Sequence, residues 1–425
     1  MSEINTSCCI AGGGPAGMML GLLLSRAGVN VHVLEKHSDF LRDFRGDTVH
    51  PSTLELMNEL GLLKDFLKLP HEKLGQIQAH VGDEQIVLGD FSKVHAACPY
   101  IAFMPQWHFL NFLAQQAARF PGFHLDMNSE VVELIEENGR VLGLIARRKD
   151  GSRLKIKADL TVAADGRSSI VRQKAGFEIC NVGAPMDVLW MRISRKESDP
   201  RDSLGRLVAG AMMVLLNRGE YWQCAYLIPK GRVEEFRAEG IEKFRERIAQ
   251  TCPFLADRVA ELESFDEIKL LTVRVDYLKQ WCKEGLLCIG DAAHAMSPVG
   301  GVGINLAIQD AVAAANILYK PLLHGNCSLH DLQKVQSRRM YPTRMTQRAQ
   351  VFIQNHVITP TLRSSDKISV PWIMKAIASV PSLRAIPAQL IGIGLRPEHI
   401  YTPDYQRAGT RQKISAEEMS TNGQA

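Results

Sequence analysis

Along the first 35 residues, apolar strands alternate with a helical period. Residues 8–11 (CCIA) read as a short strand, 12–17 as a glycine-rich turn, and 15–27 as a helix with an Ala/Leu/Met face. Gly28 is a helix stop, and residues 29–34 (VNVHVL) form a second strand that ends at Glu35. This is one βαβ unit. A helix is expected over 53–69, with Leu54, Met57, Leu60 and Leu63 on one side, and another over 107–120. Alternation with turn signals in 75–91 predicts antiparallel strands, and 122–148 predicts a hairpin about Glu137-Asn138-Gly139. The continuous apolar run 158–164 predicts a strand buried on both faces.

Beyond residue 182 the pattern changes. Strands are expected over 188–193, 209–216 and 221–228, followed by a helix over 233–252. This block lacks the strand–helix exchange, so it predicts a second domain with an antiparallel sheet. Residues 285–289 return to strand, 303–319 to a strongly apolar helix, and 333–351 to a basic helix. Arg338, Arg339, Arg344 and Arg348 on that last helix read as a solvated face. Pro360, Pro371, Pro381, Pro387 and Pro397 then punctuate short helical pieces, and the polar tail 415–425 is expected to be disordered.

Composition narrows the class. The chain has 425 residues, 46% hydrophobic and 23% charged, which excludes wholesale disorder, collagen and coiled coil. Fifty Lys and Arg against 46 Asp and Glu leave a formal charge of +4, and no basic block is interleaved with aromatics, so a nucleic-acid partner is not expected. The nine cysteines are odd in number, irregularly spaced and free of C-x-x-C, which predicts reduced thiols, a cytoplasmic protein and no metal site. No uninterrupted apolar run approaches the ~18–20 residues of a spanning helix. The apolar stretch 377–393 is expected to pack on the body, with peripheral membrane contact as the alternative. The pattern leaves the oligomeric state open.

Three stretches carry candidate chemistry. In GGGPAG, Gly12, Gly14 and Gly17 fill the places of G-x-G-x-x-G, with a strand before and a helix after, and Glu35 lies 18 residues beyond Gly17. Such a turn brings backbone to a pyrophosphate, and the acid accepts from ribose hydroxyls. The second stretch is Asp165-Gly166 at the end of a buried strand, followed by Ser168, Ser169 and Arg172. The third, 290–310, places Asp291 after a strand and Pro298, Gly300, Gly301 and Gly303 in a bare loop that opens a helix at Ile304. A loop of that kind can lie against a flat ring. His294 reads as a residue that locks this turn by hydrogen bonds.

In order and spacing, the three stretches resemble the flavoprotein aromatic hydroxylases. These are the single-component FAD monooxygenases similar to para-hydroxybenzoate hydroxylase and related to the 2-polyprenyl-6-methoxyphenol hydroxylases. The resemblance covers 7–175 and 280–320 by motif. It implies an α/β fold: a Rossmann-like FAD-binding domain (1–75, 100–175 and 280–350) with an inserted antiparallel-sheet substrate domain (76–99 and 176–279) and a helical C-terminal region (351–414). Gly12, Gly14, Pro15, Ala16, Gly17, Glu35 and Lys36 are then the ADP-side contacts. Arg45 reaches the pyrophosphate and ring region, and Gln106 lies near the ribityl chain. Asp165 and Gly166 serve FAD and the nicotinamide cofactor. Asp291 contacts the ribityl hydroxyls, while Gly301, Gly303, Ile304 and Asn305 lie about the ring edge. Pro298 and Arg45 are the residues placed at the chemistry. This chain reads Ser297-Pro298 where many relatives have Pro-Pro, a small departure.

The implied activity is NAD(P)H- and O2-dependent hydroxylation of a phenolic or quinone-like aromatic small molecule through a flavin C4a-hydroperoxide. Trp190, Arg192, Met212, Tyr221 and Gln223 on the antiparallel sheet are candidate substrate contacts. Alternatives are a monooxygenase acting on a polycyclic antibiotic or as an epoxidase, and a flavin-binding protein without turnover. No W-x-W-x-I-P signature of a flavin halogenase is present.

Overall fold

Val31–Leu34, with Val and Leu in three of its four places, is buried throughout, and so are the last residues of Ser2–Ala11. Strands like these need cover on both faces. A computed structural model of the chain, which describes residues 2–41 and 48–405, supplies that cover. Leu286–Cys288, Arg153–Ala163, Ser2–Ala11, Val31–Leu34 and Phe123–Asp126 lie side by side in that order, all parallel. The helix Pro15–Arg26, buried from Ala16 to Ser25, packs between this sheet and the apolar helix Gly303–Leu323. An antiparallel hairpin, Ser129–Glu137 and Arg140–Arg148, extends the sheet, with Asn138 and Gly139 at φ 52° and 77° in its turn.

The register positions the site. Ala11 pairs with both Leu34 and Ala163, and Ala163 pairs with Cys288. Gly12, Glu35, Asp165 and Asp291 therefore all leave the carboxyl edge of adjacent parallel strands. Open α/β sheets bind their ligands at this edge.

A second, seven-stranded sheet runs Lys269–Leu271, Met186–Ser194, Tyr221–Pro229, Ala211–Asn217, Leu204–Val208, Gln76–Val81 and Glu84–Asp90. Only the pairing of Leu204–Val208 with Gln76–Val81 is parallel. One face (Met191, Ile193, Met213, Trp222, Cys224, Tyr226) packs under the helices Val233–Glu239 and Ile241–Thr251. The other face carries Val188, Trp190, Met212, Val214, Ala225 and Leu227, and these pack against the same cluster as Val299. The fold is the α/β arrangement expected, with a sheet domain beside a Rossmann-like one and helices toward the C-terminus.

Two expected elements are split, and a third gains a neighbour. The helix expected over 53–69 is Pro51–Glu59 and Leu63–Phe66. The one over 233–252 breaks into Val233–Glu239 and Ile241–Thr251, and the strand over 209–216 is preceded by the unexpected strand Leu204–Val208. A glycine at positive φ sits at each break: Gly61, Gly240 and Gly210. Apolar periodicity runs on through such positions, but the backbone does not.

Among the described residues, one helical stretch, Val299–Leu323, is long and apolar enough to cross a membrane, and 72% of its apolar window is buried inside the fold. The C-terminal helix Ala385–Gly392 buries Ala388 beside Phe91 and Val94 and leaves Ile386 and Leu390 exposed, as is Trp372. All nine cysteines are free, and only Cys180 is not fully buried.

Candidate active site

Close backbone approach explains the glycines. A Cβ on Gly12 would lie 2.4 Å from the Ala164 carbonyl oxygen, and one on Gly17 would lie 1.9 Å from that of Gly12. Gly14 differs: a Cβ there meets nothing within 4 Å, and no side chain caps the helix that follows. Free N–H groups at the start of Pro15–Arg26 thus face open ground suited to an anion. Glu35 is buried beside this turn. Its Oε2 accepts from the Gly13 N–H (3.0 Å) and its Oε1 from the His37 N–H (3.1 Å). Ala16 is buried against Gly290, and Lys36 is exposed.

Asp165 follows the neighbouring strand. One oxygen accepts from the Val171 N–H at 3.3 Å, whereas Oδ1 is buried with no partner among the described residues. Burial pushes this carboxyl above the usual carboxylate range. Gly166, at φ 83°, opens onto free space. Behind it, the buried Arg172 guanidinium joins Asp276 (3.1 Å), the Arg167 carbonyl and, at 3.4 Å, the Ala292 carbonyl. It ties the second motif to the third. Arg167 also pairs with the part-exposed Asp291 at 3.6 Å.

The third motif is braced from behind. Asp310, fully buried, accepts from the Gly290 N–H (3.0 Å), contacts His294 Nε2 (2.5 Å) and accepts from Arg339 Nε (3.1 Å). Burial would raise the Asp310 carboxyl, but His294 and Arg339 overcome it and hold it below its ordinary range. His294 locks the turn, as expected. Arg339 does not lie on a solvated face: it is buried and also reaches Glu398 (3.1 Å) and the Arg396 carbonyl (3.0 Å).

Pro298 leads a single helical turn, Val299–Gly301, into the helix that starts at Gly303 and Ile304, and no side chain caps this second N-terminus. The Gly301 carbonyl accepts from the Thr48 hydroxyl (3.1 Å) and faces His50 Nε2 (3.1 Å), while His50 Nδ1 lies 2.8 Å from the Ile391 carbonyl. Asn305 is buried, and its carbonyl accepts from Ser52 (2.6 Å) and Thr53 (3.2 Å). The sequence reading missed Thr48, His50 and the glutamines of the long helix Leu329–Ile353. Gln347 and Gln350, with Gln354 just past the helix end, share one helical stripe, but a polar stripe has the same pattern whether it meets water or protein.

Burial drives His50 down to about 4, despite the two carbonyls. A neutral ring has one N–H, so it serves only one of them. Because the unfolded ring titrates near 6.5, the unfolded state takes up the extra proton as pH falls below that value. Stability is thus full above about 6.5 and is lost toward 4. We expect about 2 kcal/mol to disappear between pH 7 and 5. Urea unfolding of wild type and His50→Gln at both pH values checks this, and equal pH slopes would contradict it.

The candidate substrate residues fall at two places. Trp190 and Met212 pack against the cluster that includes Val299, and Gln223, buried on the same face, accepts from Arg218 Nε at 3.0 Å. Arg192 and Tyr221 lie farther along that face. The exposed guanidinium sits 3.9 Å over the tyrosine ring, beside a cavity of about 360 Å³ also lined by Glu220, Glu261 and Glu267. Exposure and the ring explain the mid-strand charge of Arg192. Gln106 opens the helix Gln106–Ala117 and is half-buried. Arg45 lies outside the described residues.

These residues fit FAD. Open space at Gly14 and Gly166, the unpaired buried oxygen of Asp165 and the accessible carboxylate of Asp291 lie along one sheet edge, and an uncapped helix N-terminus stands beyond them. Comparison with known proteins agrees. Residues 5–349 match the family model described as FAD binding domain. The chain is 31% identical over 388 residues to 6-methylpretetramide 4-monooxygenase of Streptomyces rimosus, covering 90% of this chain and 91% of that protein. It is 25% identical over 323 residues to para-nitrophenol 4-monooxygenase of Pseudomonas sp. strain WBC-3, covering 74% and 78%. Among solved structures, the OxyS anhydrotetracycline hydroxylase of Streptomyces rimosus shares the fold at TM-score 0.70 and 22% identity, over 92% of this chain and 76% of that one. The chain belongs to the FAD binding domain family and is an FAD-dependent monooxygenase of the aromatic hydroxylase type.

Proposed function

We propose that this protein hydroxylates a phenolic, fused-ring aromatic small molecule, held between the Pro298 loop and the apolar face of the seven-stranded sheet. The observation that carries this reading is the 31% identity, end to end, with a relative named for oxidising 6-methylpretetramide. Bound FAD would supply the redox chemistry: hydride acceptance from NAD(P)H and activation of O2, with one oxygen atom going to the substrate and the other to water. In this reading Gly12, Gly14 and Gly17 seat the pyrophosphate, Glu35 the adenosine ribose, and Asp165 and Asp291 the linker hydroxyls. The N-terminus at Gly303 and Ile304 stabilises negative charge at the ring edge. Val188, Trp190, Met212, Val214, Ala225 and Leu227 present a surface without charge, which keeps water from the reacting centre. The free, mostly buried thiols support a reducing, cytoplasmic setting.

A second reading, a single-ring phenol, draws on the para-nitrophenol relative. The test is product formation from p-nitrophenol and from anhydrotetracycline by FAD-loaded protein under air with NADPH or NADH. Hydroxylation of the four-ring probe at the higher kcat/KM supports the proposal, and preference for p-nitrophenol selects the second reading. Failure to oxidise NAD(P)H with either probe would leave a flavin carrier without turnover.

A further inference from the structure

We propose that Gln350, seconded by Gln354, is a positioning residue that sets where the Pro298 loop stands against flavin and substrate. The inference rests on the reading of that loop given above. One buried carboxamide holds both sides of Pro298. Gln350 Nε2 donates to the Ser297 carbonyl and the Val299 carbonyl, each at 2.9 Å, and its Oε1 accepts from the Ser297 N–H at 3.3 Å. Gln354 Nε2 donates to the Ser297 hydroxyl at 2.6 Å, and that hydroxyl accepts from the Val299 N–H at 3.3 Å. One turn earlier, Gln347 Nε2 donates to the carbonyls of Asp276 (2.8 Å) and Ala295 (3.2 Å).

All three glutamines are at most 3% exposed and lie on the helix stripe that also carries Arg339. Beyond these bonds, the far end of the loop is held at the Gly301 carbonyl by Thr48 and His50. Pro298 lacks an N–H, and Gly300 and Gly301 stand at φ 77° and 64°. Among the described residues, the Pro298 carbonyl accepts only the Gly301 N–H of its own turn. The helix begins a wider, π-type turn at Gln354, a feature common beside functional sites. Burying a carboxamide is costly unless its bonds are made, and both polar atoms of Gln350 are bonded. Apolar residues would pack here as well, but they cannot fix the direction of loop carbonyls. The same helix holds the Asp291 turn through Arg339 and Asp310, so one rigid element references both ends of the ring site.

The test uses FAD-loaded wild type, Gln350→Leu, Gln350→Glu and Gln354→Met. Gln350→Leu is expected to keep its FAD. Amide exchange in 295–302 should rise about tenfold or more relative to the helix Pro15–Arg26, and the visible circular dichroism of bound flavin should change. With whichever probe wild type hydroxylates, product per NAD(P)H should fall and H2O2 should rise, at nearly unchanged NAD(P)H oxidation. In Gln350→Glu the carboxylate faces two carbonyls. Product yield should recover as pH falls and the acid regains a donor, a trend absent from wild type. Gln354→Met, which loses one bond, should shift the same readouts less and decides the matter if Gln350→Leu fails to fold.

Unchanged flavin dichroism and product yield in the variants overturn the proposal, even if loop exchange rises, because Gln350 is then merely structural. If wild type hydroxylates neither probe, the substrate reading falls, and flavin dichroism with loop exchange still decides the positioning claim.

Discussion

Asp291→Ala is expected to yield a folded protein that leaves purification almost without FAD. Asp291 stands at the carboxyl edge of Leu286–Cys288 with an accessible carboxylate, and its protein partner is the long 3.6 Å contact with Arg167. That arrangement costs the fold little to lose. A hydrogen bond from cofactor hydroxyl to carboxylate contributes about 1.5–3 kcal/mol, so FAD affinity should fall roughly ten- to a hundredfold. Flavin fluorescence titration and the absorbance ratio after gel filtration give the answer, with circular dichroism confirming the fold. Wild-type affinity in the variant would show that the carboxylate does not face the cofactor.

Arg339→Met should act on the fold itself. The guanidinium is 1% exposed and neutralises two buried carboxylates, Asp310 and Glu398. Removing one partner of a buried ion network leaves uncompensated charge and costs about 3–5 kcal/mol. The loss should be seen as a lower urea midpoint with an unchanged slope. Acid stability shifts as well. Asp310 is held below its ordinary value in the folded state, so the stability it contributes is present above the unfolded value near 4 and is lost as pH falls through the folded one. Without Arg339, burial is opposed only by His294 and the Gly290 N–H, the folded pKa rises, and acid unfolding should begin at higher pH. An unaltered acid midpoint would mean that Arg339 does not hold Asp310.

What the sequence disclosed followed from how local each constraint is. The turn at Gly12, Gly14 and Gly17 was legible because Gly12 and Gly17 answer to backbone on the adjacent strand or within a few residues, and Gly14 leaves the start of the next helix open. Asp165 and Asp291 were legible because each follows an apolar strand, and the parallel register then brings them together. Arg339 and Gln350 were not legible. A helix face of Arg and Gln has the same pattern whether it meets water or a loop of bare carbonyls, and only the tertiary partner decides. The expected helix over 233–252 failed at Gly240 for a related reason: the apolar period continues across the residue whose backbone conformation ends the helix. Arg192, a candidate substrate contact, is exposed over the Tyr221 ring and lines the cavity beside it. Arg45, expected near the pyrophosphate and ring, falls outside the described residues.

A crystal structure of the FAD-loaded protein is the most direct measurement. It should show a single cofactor with its adenosine ribose on Glu35, its pyrophosphate over Gly14, its ribityl chain on Asp291 and its ring against the loop after Pro298. A flavin bound elsewhere, or one that leaves any of these groups untouched, would contradict the account.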